Sequence, residues 1–198
     1  MKTDKVIDGV LIKATKPKAG KQYVWPKGVT KIGGYAFYDW HNFNQPFSIP
    51  ESVTKIGDCA FYYWKSFNHP FSIPEGVTHI GACAFDNWKS FNQPFSIPEG
   101  VTEIGEYAFY SWHSFNQPFS IPEGVTEIGK WAFSWWESFN QPNSRRTKAT
   151  NAWLRIDNWV FAGCYSGTLE QLRNRLDSGK STPEREDAWE IISKPFPC

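Results

Sequence analysis

Apolar and polar positions follow one recurring unit along most of this chain, seen whole between Asn44 and Phe67. Phe47-Ser48-Ile49 alternates apolar and polar residues, which predicts a short strand. Pro50-Glu51-Ser52 breaks it, with Pro at the second position of a type I turn. Val53-Thr54-Lys55-Ile56 predicts a second short strand with Val53 and Ile56 turned inward. Ala60, Phe61, Trp64 and Phe67 then fall at helix-like spacing, which predicts one short helical or 3₁₀ turn on the far side.

The unit repeats. Ile32, Ile56, Ile80, Ile104 and Ile128 are each 24 residues apart. A period in this range marks a solenoid, whose stacked coils share one continuous core. One coil buries too little apolar surface to offset the entropy of ordering it, so the units must stack. Each Ile is followed by Gly (Gly33, Gly57, Gly81, Gly105, Gly129), which points to a backbone corner or a close approach that excludes a side chain. The expectation is a right-handed α/β solenoid with short strands, short helical or 3₁₀ turns and a helical cap at its C-terminal end.

Four segments of a single domain follow. Residues 1–21 read as an N-terminal lead-in, and residues 22–142 as five regular repeats of 24 residues. Beyond Pro142 the pattern slips, and the next Ile, Ile156, comes 28 residues after Ile128. Residues 143–165 therefore read as a degenerate sixth copy, Ile156–Phe161, behind a basic loop. Residues 166–198 read as a helical pair. Thr168 and Gln171 form a capping box ahead of Leu169, Leu172 and Leu176. Thr182 and Pro183 open a second helix with Trp189, Ile191 and Ile192 on its buried side. This pair is expected to cap the last coil.

Composition sharpens the core. Against 16 Phe, 11 Trp and 8 Tyr there are five Leu, none between Gly34 and Pro142, so Phe and Trp fill the array interior. The net charge of +1 is uneven: +6 over residues 1–34, −7 over residues 35–142 and +2 over residues 143–198. A nearly neutral total gives no case for nucleic-acid or anionic-membrane binding. The N-terminus has no apolar leader core, and no 18-residue apolar run occurs, which excludes membrane insertion and sets the cytoplasm as the expected location. Four Cys are too few for a disulfide framework in a chain of 198 residues. Cys59 and Cys83 share a column and are expected as buried free thiols, on a convex face too widely spaced to bridge.

The pattern I-P-x-x-V-x-x-I-G-x-x-A-F resembles the BspA-like subclass of leucine-rich repeats, and Val6–Lys13 resembles the lead-in that often precedes such arrays. The likeness covers about residues 6–164. Trp40, Trp64, Trp88, Trp112 and Trp136 stand where that family commonly has Cys, although Cys164 restores the usual residue. Phe43, Phe67, Phe91, Phe115 and Phe139 replace a Leu, and each unit is one residue longer, at Asn-Gln-Pro. The resemblance implies a curved solenoid used for attachment or protein recognition, often on microbial surfaces.

Catalytic signatures are sparse: G-x-S-x-G, C-x-x-C, P-loop and H-E-x-x-H patterns are all missing, which argues against an enzyme. His41, His69, His79 and His113 occupy columns where other copies carry Gln, Lys or Glu, so they read as surface substitutions and not metal ligands. The Glu51, Glu75, Glu99, Glu123 ladder reads as a solvated turn stripe, and Asn44, Asn68, Asn92, Asn116 and Asn140 as amides satisfying backbone groups between coils. The Trp column reads as core; exposed, it would be a sugar-stacking ladder. Uniform columns such as Ser48, Ser72, Ser96 and Ser120 discriminate poorly between partners. Variation concentrates in three: Lys31-Lys55-His79-Glu103-Glu127, Tyr38-Tyr62-Asp86-Tyr110-Ser134, and Asp39-Tyr63-Asn87-Ser111-Trp135. The expected binding residues are therefore Tyr38, Tyr62, Tyr63, Tyr110 and Trp135, with Lys55, His79, Glu103 and Glu127 setting orientation. Arg145, Arg146 and Lys148 form a second candidate, a loop for an acidic partner. The expected function is non-enzymatic and cofactor-free: a monomer that binds a protein. A glycan-binding or adhesive module is the second reading, and an inhibitor of a nucleic-acid-handling complex the third.

Overall fold

The computed structural model describes residues 4–140, the strand residues 144–146, 153–156, 159–162 and 165–168, and residues 170, 171 and 174. Lys148, the Asp157-Asn158 link and the second expected C-terminal helix lie outside the described residues.

A hairpin opens the fold. Strands β1 (Lys5–Ile7) and β2 (Val10–Lys13) pair antiparallel across Asp8-Gly9. Both turn residues have positive φ, 49° and 75°, the mirror-image geometry whose twist matches paired strands. Five two-residue strands then stack parallel on β2 and on one another: β3 (Lys31–Ile32), β4 (Lys55–Ile56), β5 (His79–Ile80), β6 (Glu103–Ile104) and β7 (Glu127–Ile128). Each pairs with its neighbour one period away, Ile32 opposite Ile56 and so on to Ile128. This is the expected solenoid.

The core is an aromatic lattice. Phe37, Phe61, Phe85, Phe109 and Phe133 stack face to face with centroids 4.9–5.4 Å apart. The Trp column stacks beside it at 5.5–5.8 Å, edge-on to the Phe rings, a packing that rewards both offset stacks and T-shaped contacts. From Trp64 to Trp136 each indole also donates its N–H to a Phe carbonyl of the preceding coil, as Trp64 does to Phe37 O at 2.7 Å. That bond explains why Trp is tolerated at a fully buried position.

Spacing differs around the coil. The Phe47, Phe71, Phe95 and Phe119 rings stand 6.3–6.5 Å apart, about 1 Å wider than the Phe37 column, and a wedge of this kind bends a solenoid. Bonding follows the wedge. On the close flank, alternate N–H groups cross directly to the next coil, Tyr35 to Asp58 O, Phe37 to Ala60 O and Asp39 to Tyr62 O, at 2.8–3.0 Å. Further round, a side chain spans the gap: the Asn68 N–H donates to Asn44 Oδ1 at 3.0 Å, repeated down the Asn column as expected.

Two local expectations are corrected. Phe47-Ser48-Ile49 is not a strand: its apolar residues are buried, but Pro46 and Pro50 remove donors at both ends. The segment from Gly57 to Trp64 is neither helix nor 3₁₀. It is a run of tight turns, Ala60 N–H to Gly57 O and Tyr62 N–H to Cys59 O, broken by positive φ at Cys59 and Tyr63.

The C-terminal segment also departs from the repeat. Strands β8 (Ser144–Arg146), β9 (Trp153–Ile156), β10 (Trp159–Ala162) and β11 (Tyr165–Thr168) form a separate antiparallel sheet. Ile156 lies opposite Trp159 in a hairpin and not beside Ile128, so the expected sixth coil is replaced by a meander. Ile156 is buried in the same core cluster as the array. Glu170, Gln171 and Asn174 are helical, at the place of the first expected helix.

Candidate functional site: one flank of the array

The strand column ends in outward side chains, and the glycine two residues later leaves room beside them. A Cβ at Gly57 would lie 2.7 Å from Gly34 N and 2.9 Å from Gly33 C, so the coils touch backbone to backbone there and no side chain fits. A groove of about 580 Å³ runs over the later copies of this glycine, Gly81, Gly105 and Gly129. Lys55, His79, Glu103 and Glu127 line it, together with Asp58 and, from the C-terminal segment, Gln171. His79 Nε2 lies 3.2 Å from Glu103 Oε1, where the column changes sign. Sequence reasoning placed this column correctly at the surface; the groove itself had no sequence signal beyond the repeated Gly.

The aromatic columns follow the strand by six to eight residues in each coil, and none of them lines the groove itself. Tyr38 stacks on Tyr62 at 5.4 Å and Tyr62 on Tyr63 at 5.5 Å. Lys65 Nζ sits 4.1 Å above the Tyr63 ring. Tyr110 meets Tyr107 edge-on at 5.3 Å and Trp135 at 6.2 Å. Tyr38 and Trp135 are exposed, while Tyr62, Tyr63 and Tyr110 are half-buried. The structure thus brings the predicted aromatics into two clusters, Tyr38-Tyr62-Tyr63 and Tyr110-Trp135, on either side of Asp86.

Sequence reasoning missed a neighbouring column, Tyr35-Cys59-Cys83-Tyr107-Trp131, which shares this flank. All five have φ between 53° and 61°, and the five residues of the Asp39–Trp135 column have φ between 60° and 72°. Left-handed backbone is disfavoured for residues with a Cβ, and among these ten only Asp39 and Asn87 are of types that accept it readily. Cys59 and Cys83 are free and half-buried on this close flank, not the widely spaced convex face expected. Burial first, and the adjacent Cys59 second, push the Cys83 thiol up to about 12, so it stays protonated.

Asp86 is the exception in its column. Tyr and Ser occupy the other four copies, yet Asp86 is only 6% exposed. Its Oδ1 accepts the Asn87 side-chain N–H at 2.8 Å. Burial raises its carboxyl to about 7 against the lowering effect of Asn87 and Lys89.

Other candidates resolve simply. The Trp column is core, so it offers no sugar ladder. The histidines are dispersed: His41 Nδ1 lies 3.0 Å from Asp39 Oδ1, His69 Nε2 3.1 Å from Asn44 O, and the His113 ring against Trp135. Among the described residues, no group of His, Cys, Asp or Glu gathers to hold a metal, and no helix is long and apolar enough to cross a membrane. Arg145 and Arg146 lie in β8, in the antiparallel sheet and apart from the groove column.

Comparison with known proteins agrees with this geometry. The family described as BspA type leucine rich repeat region matches residues 19–140, in six copies. A leucine-rich repeat protein from Bacteroides ovatus is 30% identical with a TM-score of 0.52, over 66% of this chain and 32% of its own. A leucine rich cell surface protein from Faecalibacterium prausnitzii is 31% identical with a TM-score of 0.52, over 70% of this chain and 34% of its own. The chain therefore spans about a third of the length of these solved relatives. No curated protein matches it. With the repeat, the stacked parallel strands and the matched segment in agreement, the chain belongs to the BspA-type leucine-rich repeat family.

Proposed function

We propose that this chain is a non-catalytic recognition module that binds a protein through the flank formed by the groove and the aromatic columns. The carrying observation is convergence. The columns that vary most between otherwise near-identical coils all lie within the stretch Lys55–Tyr63 and its repeats: the charged column lines the groove, and the aromatic columns follow it in the same coils as stacked, partly exposed rings. Half-exposed Tyr and Trp next to charges of both signs suit a protein interface, where aromatics anchor and charges orient. The groove column runs from Lys31 and Lys55 to Glu103 and Glu127, so it favours a partner with opposite polarity along its length.

Replacing Tyr62 and Tyr63 together by Ala is expected to weaken partner binding by roughly 2–4 kcal/mol with little change in melting temperature. The comparison is affinity capture from host material by the immobilised chain, this double variant, and a Ser72→Ala/Ser96→Ala control. Capture lost from the control and kept by the Tyr variant would move the interface to the other face. We place the binding at a cell surface, on the description of the Faecalibacterium relative. Protease treatment of intact host cells that leaves the chain uncut would place it inside the cell.

A further inference from the structure

Buried charges in proteins are ordinarily paired. Asp86 is not: among the described residues it makes no ion pair, and its carboxylate accepts from the Asn87 side-chain amide at 2.8 Å, while the Asn87 backbone N–H donates to Tyr110 O at 2.9 Å. Lys89 acts on it only from a distance. Nor does the coil require it, because Tyr38, Tyr62, Tyr110 and Ser134 fill the same position in a backbone of the same form. A carboxylate that the fold does not need, held under cover without a counter-ion, is a candidate site.

Its walls fit a cation. Tyr62 on the preceding coil and Tyr110 on the following one both lie close enough to feel its charge, which together with burial raises their hydroxyls. Tyr62 and Tyr110 stand one coil before and one coil after Asp86 in a column whose adjacent rings lie 5.4 Å apart, as Tyr38 and Tyr62 do, so a cation over the short Asp86 side chain would come within cation–π range of both. The flank already holds one such contact, Lys65 over Tyr63 at 4.1 Å. The array as a whole carries −7 over residues 35–142, which draws positive partners to it.

From this geometry we infer that the notch over Asp86, between Tyr62 and Tyr110, receives a Lys or Arg side chain of the protein partner. The inference rests on the reading of this flank as a protein-binding surface and supplies its anchor. The carboxylate provides the charge, and the rings provide the walls. Near neutral pH the site is tunable, because the Asp86 carboxyl titrates at about 7. The groups facing it are Tyr62, Tyr110 and Cys83, all pushed upward and so protonated there, with Lys89 as the nearby cation.

The test uses the full chain, isotope-labelled, titrated with N-acetyl-arginine amide and with its uncharged citrulline counterpart while the Tyr62, Asn87 and Tyr110 amide signals are followed. Saturable shifts are expected with the arginine compound alone. Affinity should fall about tenfold between pH 8 and pH 6, as the carboxyl takes up its proton. Asp86→Asn, which keeps the shape, should lose at least tenfold, whereas Glu103→Gln with Glu127→Gln, which removes more charge from the groove, should lose less than threefold. Equal shifts with citrulline, or full binding by Asp86→Asn, would overturn the inference. If Tyr62→Ala/Tyr63→Ala loses the protein partner while Asp86→Asn keeps it, the flank binds protein without this anchor, and only the cation site falls.

Discussion

At the scale of single residues, the array places costly features on its close flank. Asp86 is held well above the ordinary carboxylate value of 3.8, so its burial penalty is absent below about pH 4 and grows as pH rises. The penalty is complete once pH exceeds about 7. The gap between 3.8 and about 7 corresponds to roughly 4 kcal/mol at most. Asp86→Asn is therefore expected to stabilise the chain by roughly 1–4 kcal/mol at pH 8, and to make little difference at pH 4. Denaturant unfolding at the two pH values measures this, and a gain that does not depend on pH would show that the carboxyl ionises freely. Nothing in the sequence marks this residue as buried, since it reads as one variable member of a surface column. The left-handed backbone at Tyr63 and Trp135 was equally hidden, because aromatic residues carry no preference for it.

Between residue and molecule stands the coil, and there the sequence was legible wherever one side chain fixes one local geometry. Val53-Thr54-Lys55-Ile56 was read as a strand and the Ile-Gly step as a close approach; Lys55–Ile56 forms β4 and Gly57 touches the preceding backbone. Phe47-Ser48-Ile49 and the Ala60–Phe67 spacing misled because burial alone produced their patterns. Alternation of inward residues does not require a ladder, and a spacing of three or four also arises from successive turns. The glycines separate the two cases experimentally. A Cβ at Gly81 would lie 2.6 Å from Asp58 N and from Gly57 C, both backbone atoms that cannot move aside, so Gly81→Ala is expected to cost roughly 1–3 kcal/mol. Gly76 has no neighbour nearer than 3.7 Å and no positive φ, so Gly76→Ala should be neutral or stabilising by about 0.4–1 kcal/mol. Equal effects of the two in thermal or denaturant unfolding would mean that coils do not meet at the Ile-Gly corner.

The whole molecule must solve one further problem, which is to end. A stack of identical coils presents an apolar face at each terminus, and uncovered ends invite further stacking. At the N-terminal end the β1–β2 hairpin pairs with β3, and Tyr23 and Trp25 pack edge-on against Phe37, with Tyr23 Oη donating to Asp4 Oδ2 at 2.7 Å. At the other end Phe133 and Trp136 are fully buried and Phe139 nearly so, although the described strands that follow them form a separate antiparallel sheet and do not extend the stack. Residues beyond Pro142 must supply that cover, and Ile156 of β9 does so visibly, buried in the array's own core cluster. A chain ending at Pro142 is thus expected to expose three large aromatic side chains, a loss of roughly 5 kcal/mol or more. It should aggregate or melt at a markedly lower temperature, while a chain ending after Asn174, which keeps the antiparallel sheet, should stay nearer the parent. Light scattering with thermal unfolding distinguishes them. If the Pro142 truncation remains monomeric with the parent's melting temperature, the sheet does not cap the array, and the segment from β8 onward is a module with a function of its own.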